Sequence, residues 1–480
     1  MSESEPIVIG EGSFGCVHRP SLKCKKSQRQ QSYYNKTSKI LIKSEAKKEL
    51  KEYAEVKKAD PKNNFYLGVP KKCTPDNTLL SNQNALYDCA GFRSNTITFK
   101  NSDLLIMEDG GENIKQYVDK MKETKVNSAS TKECELFLLE SLRMFRGILE
   151  FHKRGLVHHD LKPQNFVYNK EKNRLNLIDF GLMQKKKEIL DEASKSEYHL
   201  GTRIWFNFPW EIEILSKNRF VKVHKKGLSN HIDKFILLLG EKGSHECEHV
   251  AYFLKYIVGD AKSSKTTQTP KSRVMLKVLL QDYKQFYVED LADLEYTYEK
   301  FAEKCVDTID SFGLGFTLMY WLENAGKFLN DELQQELFIC FSYMITPRQT
   351  IRYTIEQSIA RFENILEQHG LLEKYEKKIV DHVLLDKDAK VAKKDEPIVV
   401  HLPENIKIDP KLADLDPSEC PDGKEMNPKT KRCVKKCGDG YSRNAAFRCV
   451  KIKTTKTPSK RCPKGTRKNP KTGKCEKKQI

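Results

Sequence analysis

The sequence predicts an α+β chain, strand-rich at first and helical afterwards, followed by a string of small Cys-containing repeats. Three observations predict it. Strand-like alternation and glycine turns crowd into residues 1–109, as in "IVIGEGSFGCV" and "LLIMEDGG". Helical periodicity takes over from 110 to about 370, with an extra polar and helical stretch at about 212–304. The last 61 residues hold six of the 14 Cys in three short segments.

At 480 residues the chain has room for two or three domains and at least one large core. Its net charge of +19 is uneven: residues 420–480 carry 20 Lys and Arg against 4 Asp and Glu, a balance of +16, which leaves +3 for the rest. Any attraction to acidic partners therefore belongs to the tail. The opening MSESEP lacks an apolar run, and no apolar stretch approaches membrane-spanning length, so the expectation is a soluble cytosolic protein with no membrane association. Eight Cys are scattered irregularly through the first 340 residues, as expected for buried or free cytosolic thiols.

In order along the chain, Ile7 and Ile9 alternate into Gly10, and Val17 resumes the strand after the turn. "NKTSKILIK" is a further strand, and Ser44 is placed to cap the Lys- and Glu-rich helix "SEAKKELKEYAEVKKAD". "LLIMEDGGENIKQYV" reads strand, turn, helix; residues 133–154 are helical; "LNLIDFGL" is a buried strand ending at Asp179. "TIDSFGLGFTLMYWL" is a core helix, residues 371–418 are a helical end and linker, and 419–480 form the tail.

Three strings carry chemistry: "GEGSFGCV", "HHDLKPQN" and, 14 residues past Asn165, "DFG". A lone glycine pattern would be an ordinary hairpin; the three in order are not. Residues 5 to about 365 resemble a eukaryotic-type Ser/Thr protein kinase, which implies the bilobal kinase fold, ATP and Mg²⁺ as cofactors, and Ser/Thr side chains of proteins as substrate. The resemblance implies that Ile9, Gly10, Glu11, Gly12, Ser13, Phe14, Gly15, Cys16 and Val17 cover the ATP phosphates, since glycine backbone can approach closely and offer N–H groups. Lys39 would orient the phosphates, favoured over Lys43 because Leu41 follows at the apolar position. Its carboxylate partner would be Glu52, with Glu49 the alternative and Glu45 and Glu55 surface charges. Met107 would back the adenine pocket, and the backbone of Glu108 to Gly110 would bond the adenine edge.

In the same resemblance Asp160 orients the acceptor hydroxyl, Lys162 neutralises the transferring phosphoryl group, and Asn165 and Asp179 hold Mg²⁺, a hard ion suited to oxygen ligands. Pro209-Trp210-Glu211 replaces the usual Ala-Pro-Glu, Arg352 would pair with Glu211, and Asp310 would hold the catalytic loop. Lys162 and Gly201-Thr202 point to Ser/Thr acceptors. Two departures stand out. His159 replaces the Arg that receives an activating phosphate, so activity is expected without phosphorylation of Ser194, Ser196 or Tyr198. Glu211 and Asp310 lie 99 residues apart, which requires an insertion near the peptide-binding side.

The tail segments "CPDGKEMNPKTKRC" (420–433), "CGDGYSRNAAFRC" (437–449) and "CPKGTRKNPKTGKC" (462–475) are too short for a hydrophobic core and need a staple, disulfide or metal. They resemble the two-cysteine adaptor motif of large nucleocytoplasmic DNA viruses, iridoviruses among them. That resemblance implies a partner or virion adaptor, and a host cytoplasmic or virion location. The rival expectations are a catalytically inactive scaffold and a basic nucleic-acid-associated protein; +16 would attract phosphates non-specifically, but Tyr441 and Phe447 alone offer little for base stacking.

Overall fold

The computed structural model describes residues 5–12, 15–28, 30, 32–197, 205–239, 244–257, 270–293, 295–375 and short pieces of the tail between 424 and 477. The chain divides into two units, 1–418 and 419–480.

The first unit opens with β1 (Ile7–Gly12), β2 (Gly15–Arg19) and β3 (Lys36–Ile42), runs straight into α1 (Lys43–Ala59), and continues through β4 (Lys71–Cys73), α2 (Leu80–Tyr87), α3 (Ala90–Arg93) and β5 (Ser102–Glu108). The strands form one antiparallel sheet in the order β1-β2-β3-β5-β4. No loop separates β3 from α1. The helix is therefore preceded by apolar Ile42 without a side-chain cap bond, and Ser44 lies inside the first turn rather than capping it. Ala46, Tyr53 and Val56 form the buried stripe of α1, and Glu49 shares that face at helical spacing.

The irregular Cys of this lobe are not free thiols. Cys16–Cys89 and Cys24–Cys73 are disulfides, with Cα atoms 5.9 and 5.8 Å apart. The fold brings residues 73 and 49 positions apart into register, which sequence spacing could not reveal. Cys134, Cys305 and Cys340 are free and buried, as expected; the Cys247 side chain lies outside the described residues.

The second lobe begins with β6 (Glu112–Asn113) and α4 (Ile114–Glu123), started by a reciprocal cap between Asn113 and Gln116. There follow α5 (Ser128–Lys153), β7 (Leu156–Val157), β8 (Phe166–Asn169), β9 (Arg174–Leu177), β10 (Gln184–Lys185) and α6 (Lys186–Lys195). The insertion supplies α7 (Lys217–Lys226), α8 (Leu228–Leu239), α9 (His245–Ile257) and α10 (Pro270–Gln285). The lobe closes with α11 (Tyr298–Ala325), α12 (Asp331–Ile345), α13 (Ile355–Gln368) and α14 (Leu371–Lys374). Nearly every residue of α11 from Ile309 to Leu322 is buried, so this helix is the axis of the core. The β-rich small lobe and helical large lobe make the bilobal α+β protein kinase fold.

In the tail, β11 (Lys424–Met426) pairs with β12 (Cys433–Lys435), β13 (Tyr441–Arg443) with β14 (Cys449–Lys451), and β15 (Thr466–Lys468) with β16 (Cys475–Lys477). Disulfides Cys437–Cys449 and Cys462–Cys475 close the second and third hairpins. Hairpins this short do not hold alone, so the staples supply what a core would. Cys420 lies outside the described residues.

Candidate active site

A cleft of about 960 Å³ lies between the lobes, with Gly12, Gly15, Lys39 and Glu49 on one side and Asp160, Lys162, Asn165 and Asp179 on the other. Its roof is the β1–β2 hairpin, in which Gly12 pairs with Gly15. A Cβ on Gly15 would sit 2.1 Å from the Ile40 carbonyl oxygen, so only glycine lets β2 pass this close to β3. Ile9 falls at the register shift between Val8 and Gly10, while Val17 lies opposite Lys39. Ser13 and Phe14 are outside the described residues. Cys16 is buried in its disulfide, and the Glu11 carboxylate accepts from the Ala90 N–H at 2.9 Å, so the hairpin is fastened to α3.

Lys39 donates to Glu49 Oε2 at 2.7 Å. The expected pairing with Glu52 is therefore corrected to Glu49. Glu49 lies on the stripe of α1 that faces β3, one turn before buried Tyr53, and Glu52 lies beside that stripe. Burial alone would lower the Lys39 pKa, but the nearby Glu49 and Asp179 carboxylates outweigh it and hold the ammonium above its ordinary pKa. Glu52 still lines the cleft, and its buried Oε2 has no hydrogen-bond partner among the described residues. Burial, with Glu49 and Asp179 adding to it, pushes its pKa up to about 7. Lys43 is exposed and donates to the Lys100 carbonyl, away from the cleft.

Phe180, next to Asp179, is fully buried and packs edge-on against Tyr53 at 5.3 Å and Tyr66 at 6.1 Å. It also contacts the His158 ring at 5.3 Å. This aromatic column joins α1 to the catalytic loop and holds the Lys39–Glu49 pair over Asp179. In the connecting segment, Glu108 pairs with Lys36, and Asp109 accepts from Arg19 at 2.6 Å and from the Gly111 N–H at 2.9 Å. Gly110 packs so tightly that a Cβ would lie 2.4 Å from Val167 Cγ2.

The Asp160 carboxylate receives three donors. Lys162 Nζ and Asn165 Nδ2 reach Oδ2 at 2.6 and 2.9 Å, and Asn207 Nδ2 reaches Oδ1 at 3.0 Å. Asn165 spends its amide N–H groups on Asp160, which leaves its carbonyl oxygen as the available donor to a metal. Asp310 accepts the His158 and His159 backbone N–H groups at 2.8 and 2.9 Å, and His152 Nε2 lies 3.0 Å from it. His159 adopts φ +69°, and Asp179 φ +61°. Burial depresses the His159 pKa to about 4, so the ring is neutral at pH 7. Glu211 and Arg352 form a fully buried pair at 2.6 and 3.0 Å, as the motifs predicted. Gly201, Thr202 and Tyr198 lie outside the described residues.

Two contributors escaped the motifs. Asn207 was legible only as the one polar side chain in the aromatic run "WFNFPW". The insertion helix α9 gave no signal. It lines the cleft with Glu248, His249, Tyr252 and Tyr256. The Tyr256 hydroxyl accepts from Gln164 Nε2 at 3.0 Å, and its ring stacks on Phe206 at 5.7 Å.

The oxygen donors of Asn165 and Asp179, a paired lysine and a glycine-walled roof fit a nucleotide triphosphate with a divalent metal. A protein kinase domain profile matches residues 95–207. The cell division cycle 7-related protein kinase of Homo sapiens is 39% identical over 59 residues, 12% of this chain and 10% of that protein. Cyclin-dependent kinase B1-1 of Arabidopsis thaliana is 29% identical over 112 residues, 23% of this chain and 34% of that protein. A probable casein kinase II subunit alpha homolog of Encephalitozoon cuniculi (strain GB-M1) is 32% identical over 83 residues, 16% and 26% of the two chains. The aligned stretches thus span between 10% and 34% of these relatives. The fold and the cleft are those of a protein kinase domain, the family whose profile matches residues 95–207.

Proposed function

We propose that the chain is an active Ser/Thr protein kinase that transfers the γ-phosphoryl group of Mg²⁺-bound ATP to protein hydroxyls. The observation that carries this reading is the Asp160 carboxylate, oriented by Lys162, Asn165 and Asn207 in a cleft it shares with Asp179 and the Lys39–Glu49 pair. The nucleotide brings the phosphoryl group, and the metal neutralises its charge. Lys39 would orient the phosphates, and Asn165 and Asp179 would hold Mg²⁺ through their oxygen atoms. Lys162 meets the negative charge that develops on the phosphoryl oxygens. Asp160 accepts the hydroxyl proton as the acceptor oxygen bonds to the γ-phosphorus, while the bond from that phosphorus to the β–γ bridging oxygen breaks and ADP leaves. Positioning and charge do nearly all of this work.

An inactive scaffold is a weaker reading, because Lys39 and Glu49 are paired and Phe180 is packed beneath them. His159, neutral and buried against Phe208 at 6.4 Å, offers no charged fork to a phosphate, which supports activity without phosphorylation of the activation segment. We assign the tail the role of tethering the enzyme to a protein partner in the host cytoplasm or a virion, with only salt-sensitive contact to nucleic acid. No described helix is long and apolar enough to cross a membrane.

The test is phosphoamino-acid analysis of a protein mixture labelled by the purified chain with radioactive ATP and Mg²⁺. Phosphoserine and phosphothreonine are expected. Phosphotyrosine alone would contradict the acceptor assignment, and no label would contradict the kinase reading.

A further inference from the structure

The insertion does more than extend the large lobe. Val250, Phe253, Leu254 and Ile257 of α9 are buried, and Phe253 stacks on Phe312 and Phe316 of α11 at 5.9 and 5.5 Å. That anchoring fixes which face α9 turns towards the cleft. Glu248, Tyr252 and Tyr256 follow at i, i+4 and i+8, so they form one stripe, and this stripe lines the cleft alongside Asp160 and Lys162. Phe206, at the end of the activation segment, sits against the stripe, 5.1 Å from Tyr252 and 5.7 Å from Tyr256.

The charges on this side of the cleft are unbalanced. Lys162 is already paired with Asp160. His249 carries no charge, since burial, with His245 beside it, lowers its pKa to about 4. Glu248 is exposed and forms no ion pair among the described residues. Beside it Tyr252 is 47% exposed, although it borders a catalytic cleft. An exposed aromatic face one helical turn from an unneutralised carboxylate suits a Lys or Arg side chain, which gains both cation–π attraction and a charge partner.

We propose that α9 forms a subsite for a basic side chain of the acceptor protein near the phosphorylated hydroxyl, with Glu248 as counter-charge and Tyr252 and Phe206 as its aromatic wall. The subsite rests on the Ser/Thr kinase reading and adds a substrate class to it. Because the helix belongs to the insertion, the preference is carried by an element outside the motif-bearing segments.

Paired Ser peptides that differ only in having Arg or Glu beside the acceptor test it with the full chain. Wild type is expected to favour the Arg peptide in kcat/KM. Glu248→Gln should cut that preference roughly tenfold, mainly through KM, the size of one lost charge contact. Tyr252→Ala should reduce it by a smaller factor, roughly threefold. Glu248→Lys should invert the preference, an outcome that misfolding cannot produce. An unchanged peptide ratio in Glu248→Lys, with phosphorylation intact, overturns the subsite alone. Phosphorylation of neither peptide by wild type overturns the kinase reading, and the subsite with it.

Discussion

The two lobes hold themselves together by different means. In the small lobe a modest cluster around Ile40, Leu104 and Ile106 includes all four half-cystines of the Cys16–Cys89 and Cys24–Cys73 bridges. In the large lobe a continuous aromatic core surrounds α11, and Cys134, Cys305 and Cys340 sit in it as free thiols. Each lobe also has one defining ion pair. Arg352–Glu211 is completely buried, whereas Lys39 and Glu49 remain 21% and 12% exposed at the cleft. A large core can bury a charge pair and use it as architecture; a small one is stapled and keeps its charge pair at the site.

The largest effect expected from this contrast is in the large lobe. Arg352→Ala strands Glu211 with no counter-ion in the core and should cost ~3–5 kcal/mol of stability, measured by denaturant unfolding. A loss under about 1 kcal/mol would show that the pair is not architectural. In the small lobe, replacing Cys24 and Cys73 together by Ser should cost ~2–4 kcal/mol for a bridge that closes a span of 49 residues. An equal loss on reducing a variant that lacks both small-lobe bridges would move the stapling role to the tail.

Glu49→Gln should act on chemistry instead. We expect kcat/KM to fall ~10²-fold through misplaced phosphates, with little change in melting temperature. Glu52→Gln should leave kcat/KM near wild type, and the reverse ranking would restore the pairing first read from the sequence. The smallest effect concerns two histidines of the catalytic-loop support. For His152, burial alone lowers the pKa, but the Asp310 hydrogen bond and charge raise it above its ordinary 6.5. Its stabilising contribution is complete below pH 6.5 and is lost as pH rises through the raised value. His159, depressed to about 4, acts oppositely: the unfolded chain takes up a proton first, so stability falls as pH drops from 6.5 towards 4. These two groups favour maximal stability near pH 6.5. His152→Gln should flatten the alkaline side of the stability–pH curve by no more than about 1 kcal/mol and leave the acid side sloping.

Legibility in the sequence followed the chemistry. Asp160, Lys162, Asn165 and Asp179 were readable because they stand at fixed offsets in two short strings, and the structure brings all four to one cleft. Asp310 and Arg352 were readable only by resemblance, from "DSFGLGF" and "TPRQTIRYT", and the structure places them on the catalytic-loop backbone and on Glu211. Glu49 was not separable from Glu52, because α1 offers Glu45, Glu49, Glu52 and Glu55 at helical spacing. The start of α1 directly on β3, which chooses between them, is a tertiary fact. The disulfides were hidden by irregular spacing, and α9 was hidden because its contacts with Phe206 and Gln164 cross 50 residues and 92 residues of chain.

The most direct test removes one negative charge. Asp160→Asn keeps the shape of the side chain, so Mg²⁺-dependent ATP binding and the melting temperature should match wild type. Phosphate transfer to protein Ser and Thr should fall ~10³-fold or more. Transfer that persists at wild-type rate in Asp160→Asn would contradict the account, because no carboxylate would then be needed where the cleft is built around one.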